Sequence, residues 1–61
     1  MPTWKMVELQ LNKMDISEVY DLCSDFYIED VEWLEIKHDL DKSEIREWAL
    51  QYCLDNKIEK L

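Results

Sequence analysis

Asp15-Ile16-Ser17-Glu18 and Asp41-Lys42-Ser43-Glu44 place an aspartate three residues ahead of a glutamate twice in one short chain. That spacing suits a capping box. The first side chain accepts from a backbone N–H of the opening turn, and the glutamate reaches back to the cap's own N–H; the serine of each motif offers a second cap. Behind the first motif come Val19, Leu22, Cys23, Phe26 and Tyr27, and behind the second Ile45, Trp48, Ala49, Tyr52 and Cys53. Both sets follow the spacing i, i+3, i+4, i+7, i+8, the stripe of a helix with one buried face. The pattern predicts helices over 16–27 and 42–58, and Val19 superimposes on Ile45 at an offset of 26 residues.

The segments ahead of these helices also resemble each other. Trp4-Lys5-Met6-Val7-Glu8-Leu9 and Val31-Glu32-Trp33-Leu34-Glu35-Ile36 share one order of apolar and polar residues. Val7, Leu9 and Leu11 alternate like a half-buried strand, and the second segment is rich in β-branched and aromatic residues. The expected fold is therefore α+β: a small β-α-β-α single domain over residues 1–61, with two short strands and two amphipathic helices. An exposed sheet edge would then invite a further strand. The alternative is an all-α bundle of three or four helices, since Trp4, Val7, Leu11 and Met14 also share a helical stripe, as do Ile28, Val31 and Leu34. The sequence leaves open whether 3–12 and 30–37 are strands or helices.

Sixty-one residues make one small domain with a marginal core. No glycine occurs, which removes Gly-rich phosphate loops and the commonest residue that ends a helix. Two cysteines are too few for a disulfide-dense secreted scaffold, and the N-terminus lacks a basic start followed by an apolar run. The expected location is the cytoplasm, with Cys23 and Cys53 as free thiols. No run of about 18 apolar residues is present to span a membrane. Fifteen acids against seven bases give a net charge of −8, which repels nucleic-acid phosphates and anionic membranes alike.

Side-chain chemistry is sparse. His38 is the only histidine, so no histidine pair exists for a metal. The run Asp39-Leu40-Asp41-Lys42-Ser43-Glu44 spaces oxygens like a calcium loop, yet it lacks the loop glycine and has Leu50 where the closing glutamate belongs. Cys23 and His38 have no third group to orient them, and both cysteines lie on apolar stripes, where a thiol packs as a small hydrophobe. Ser17, Ser24 and Ser43 have no nucleophile-elbow context. No catalytic, cofactor-binding or metal residue is expected, and the chain reads as non-enzymatic.

Charge and apolar patterning say more. Residues 15–47 hold twelve of the fifteen acids, offset only by Lys37, Lys42 and Arg46. Glu18, Asp21 and Asp25 follow helical spacings of three and four, and Glu29, Asp30, Glu32 and Glu35 extend the acidic run as a candidate partner-binding face. A second line, Leu50, Leu54, Ile58 and Leu61, runs along the final helix beside its core stripe and is a candidate apolar interface. These features predict an inhibitor or regulator that acts stoichiometrically on a protein with a basic, nucleic-acid-binding surface, including by nucleic-acid mimicry. The alternative is a structural or assembly protein that works as an obligate homodimer or as a subunit of a complex.

Overall fold

The computed structural model describes residues 3–61. Four helices follow one another: α1 (Thr3–Lys13), α2 (Ile16–Phe26), α3 (Val31–Ile36) and α4 (Lys42–Asp55). The fold is all-α, with no strand among the described residues, so the α+β expectation is corrected in favour of the helical bundle. The reason lies in which residues are buried. In α1, Val7 and Leu11 are buried while Leu9 stands 56% exposed, so the alternation Val7-Leu9-Leu11 was an accident inside a stripe of period four. In the second supposed strand only Trp33 is buried, and Val31 and Leu34 face outward.

Helix α4 is the centre of the molecule, packed by α2 on one side and α1 on the other. Burial of Ile45, Ala49 and Cys53 at every fourth residue matches Val19 and Cys23 on α2 at the same offset seen in the sequence. Packing on two sides explains why α4 carries two apolar lines: one faces α2 and the aromatic residues, the other faces α1.

Helix starts follow the two motifs unequally. At α4 the capping box is complete. The N–H of Glu44 donates to Asp41 Oδ1 at 2.9 Å, Asp41 N–H donates to Glu44 Oε1 at 3.3 Å, and Ser43 Oγ donates to Asp41 Oδ1 at 3.0 Å. These bonds hold the Asp41 carboxyl below its usual range, the Glu44 N–H foremost. At α2, Asp15 is the N-cap but its side chain makes no capping bond. Helix α3 spans only six residues, too few to persist by backbone bonding alone. Asp30 caps it by accepting from the Trp33 N–H at 3.1 Å, and Trp33 anchors it in the core.

Without glycine, α4 ends on Lys57, which takes φ 56°. The Ile58 N–H returns to the Cys53 carbonyl at 2.9 Å and the Lys57 N–H to that of Leu54 at 3.4 Å, a Schellman arrangement. The turn sends Ile58 back against the core and lets the Leu61 N–H reach Gln10 Oε1 of α1 at 3.3 Å. A side chain in this left-handed region carries a steric cost that glycine does not. Lys57→Gly should therefore raise stability by about 0.5–1 kcal/mol, after allowing for the freedom that glycine adds to the unfolded chain. Thermal unfolding of the two proteins checks this; a drop in midpoint contradicts it.

Candidate functional site

An aromatic cluster sets the positions of the surface residues. Tyr27 caps the end of α2 and is its hub. Its ring meets Trp48 edge-on at 4.9 Å and Tyr52 edge-on at 5.2 Å, and lies 5.8 Å from Trp33. Its hydroxyl donates to the Trp48 carbonyl at 2.8 Å. Phe26 stacks on Tyr52 at 4.1 Å, while Trp33 lies 5.4 Å from Trp48 and 5.7 Å from Tyr20. Through Tyr27 the end of α2, and through Trp33 the middle of α3, pack against α4.

Of the proposed acidic face, Glu18, Asp21, Asp25, Glu29, Glu32 and Glu35 are exposed. Asp30 is half-buried and spends one oxygen on the cap of α3. Sequence reasoning did not separate out three apolar residues that lie among these acids. Ile28 is 69% exposed, Val31 66% and Leu34 45%. Val31 and Leu34 share a face of α3, and Ile28 sits in the turn that enters it, within about 10 Å of Val31 along the chain. Their shared spacing was visible in the sequence, but it looked like a core stripe; only the burial of Trp33 shows that α3 turns its other face inward.

The proposed apolar line is distributed differently. Leu50 and Ile58 pack partly against the core, and Leu50 and Leu54 line a cleft against Trp4 of α1. Leu61 alone of the four is exposed, at 38%. Leu50, Leu54 and Ile58 are thus half-buried within the chain.

The groups weighed for side-chain chemistry are apart. Cys23 is fully buried, its thiol directed to the Ile45 carbonyl at 3.5 Å, whereas His38 is exposed in the turn after α3. Among the described residues, no three His, Cys, Asp or Glu side chains converge to hold a metal ion. Burial, with a smaller contribution from Cys53, pushes the Cys23 thiol from 9.0 to about 12, and burial also raises Cys53. Burial likewise pushes the Tyr27 hydroxyl from 10.0 to about 12.

Groups whose protonated form is favoured by folding contribute stability at lower pH. For Cys23 and Tyr27 that contribution is complete below about pH 9 and is lost as pH rises toward about 12. Alkaline unfolding should begin in that window, accompanied by ionisation of Tyr27. At neutral pH both thiols should react with a disulfide reagent only after denaturant is added. Rapid labelling of the native protein contradicts this burial.

The described residues thus define a small all-helical unit that exposes six carboxylates on α2, α3 and the turn between them. Comparison with protein-family models, with curated proteins and with solved structures found no match to this chain. No helix is long and apolar enough to cross a membrane, among the described residues.

Proposed function

We propose that this chain is a non-enzymatic binding module, an inhibitor or regulator acting stoichiometrically on a cytoplasmic protein with a basic, nucleic-acid-binding surface. One observation carries the reading: α2, α3 and the turn between them expose six carboxylates together with three apolar side chains, Ile28, Val31 and Leu34. The carboxylates supply long-range attraction and fast encounter, and the apolar residues supply short-range anchors. Such a rim-and-anchor surface suits a protein partner. In nucleic-acid mimicry, the strictest form of this reading, the carboxylates occupy the places of phosphates in the partner's groove.

An assembly role through a homodimer is the second reading. It draws on Leu61 and on the uncovered parts of Leu50, Leu54 and Ile58, and it is weakened because those three are already half-buried within the chain. The net charge of −8 also sets two copies against each other.

The experiment is capture at low salt from the lysate of the source cells, with the native chain as bait and a Val31→Ser, Leu34→Ser variant beside it. Both positions are exposed, so the variant should fold within about 0.5 kcal/mol of the parent. The expected result is a basic nucleic-acid-handling protein that the parent retains, the variant retains poorly, and salt releases. A partner equally held by both baits and indifferent to salt would remove the reading.

A further inference from the structure

A cleft between the end of α2, α3 and α4 is lined by Tyr27, Glu32, Glu47, Trp48, Gln51 and Asp55. Three of these six are carboxylates, and among the described residues no lysine or arginine lines the cleft. Two other clefts differ on this point. The one along the α1–α4 seam holds Arg46 beside Glu8 and Glu47, and another holds Lys5 beside Glu8. Those two carry their own cation.

The walls add a second, independent feature. Tyr27 and Trp48 both line the cleft and meet edge to face at an interplanar angle of 83°. The bond from the Tyr27 hydroxyl to the Trp48 carbonyl fixes this corner before any ligand arrives. Aromatic faces attract a cation through their ring electrons, and a guanidinium stacks flat on a ring while its edge N–H groups reach carboxylates. A lysine ammonium fits less well because it is compact and strongly hydrated, and an anion is repelled by all three acids.

We propose that this cleft seats an arginine side chain presented by a partner protein. The proposal rests on the reading of the acidic side as a surface for a basic protein, and it locates the partner's central anchor. Glu32 joins the two regions, since it belongs both to the cleft and to the acidic face of α3. The partner's arginine would enter between α3 and α4 while its flanking basic residues meet Glu29 and Glu35.

The probe is tetra-arginine blocked at both ends, titrated at low salt into isotope-labelled protein and followed by nuclear magnetic resonance. The expected result is saturable movement of the Trp48 indole N–H and of backbone amides 47–55. Glu32→Gln with Glu47→Gln should weaken affinity about tenfold, from the loss of two ion pairs. Glu18→Gln with Asp21→Asn makes the same charge change on α2 and should alter it by no more than about twofold. All four positions are exposed, and circular dichroism verifies that each variant folds.

Equal losses in both variants, or shifts spread along α2 with the Trp48 indole unmoved, would overturn the cleft and leave the broader acidic-surface reading standing. Absence of any shift also overturns the cleft. Failure of the broader reading shows separately, as a captured partner whose retention ignores salt.

Discussion

Replacing Trp33 by alanine should leave most of the chain unfolded at room temperature. Trp33 is the largest fully buried side chain and is flanked by Tyr20, Tyr27 and Trp48. Truncating a buried tryptophan costs about 3–5 kcal/mol. A chain of this length has roughly 3–9 kcal/mol of stability in all. The loss also removes the only buried residue of α3, a helix too short to persist once undocked. The indole N–H finds no hydrogen-bond partner among the described residues, so Trp33→Phe deletes a buried donor along with part of the ring. Phenylalanine should therefore cost distinctly less than alanine. Circular dichroism during thermal unfolding distinguishes the two; a Trp33→Ala protein melting within a few degrees of the parent contradicts the role given to this residue.

Arg46 should produce the second-largest loss. Its Nε donates to the Leu11 carbonyl at 3.3 Å and its Nη2 to the Met14 carbonyl at 3.2 Å. Both acceptors lie at or just past the end of α1, where the Leu11 carbonyl also takes the Met14 N–H at 3.3 Å, so one side chain of α4 adds to the closure of α1 and ties the two helices together. Charge-assisted bonds of this kind contribute about 1.5–3 kcal/mol together with the packing of the stem. Arg46→Ala should lower the melting midpoint by roughly 6–24 °C, given about 4–8 °C per kcal/mol in domains of this size. Arg46→Lys should recover only part of it, because a lysine ammonium lacks the planar fork that reaches two carbonyls three residues apart. Full rescue by lysine would show that charge, not geometry, is what matters there.

Helices α2 and α4 were legible because each combines a start motif with a long stripe. They were expected over 16–27 and 42–58 and are found at Ile16–Phe26 and Lys42–Asp55. The late end expected for α4 came from Ile58, which fits the stripe yet packs on the core only after the chain reverses at Lys57. The two expected strands are helices for different reasons. In α1, the alternation of Val7, Leu9 and Leu11 lies inside the longer stripe Trp4, Val7, Leu11 and Met14, which the buried side of the helix follows. In α3, valine, isoleucine and tryptophan favour strands locally, and burial of Trp33 among three aromatic rings overrides that preference. Tertiary contacts of this kind leave no local trace.

Among the surface residues, the acids could be read directly because charge is almost always solvated. The exposed Ile28, Val31 and Leu34 could not, since an apolar stripe alone does not say which side of a six-residue helix faces inward. The cleft was hidden for a similar reason: Glu32 and Asp55 are 23 positions apart and meet only through the packing of α3 on α4.

Affinity for the captured basic protein, measured at low and at physiological ionic strength, bears most directly on the claim that the acidic side exists to be covered. The parent should bind at least about tenfold more weakly at the higher salt, and a Glu18→Gln, Asp21→Asn, Asp25→Asn variant should start weaker and change less. An affinity that is the same at both salt concentrations, and the same in parent and variant, contradicts the account.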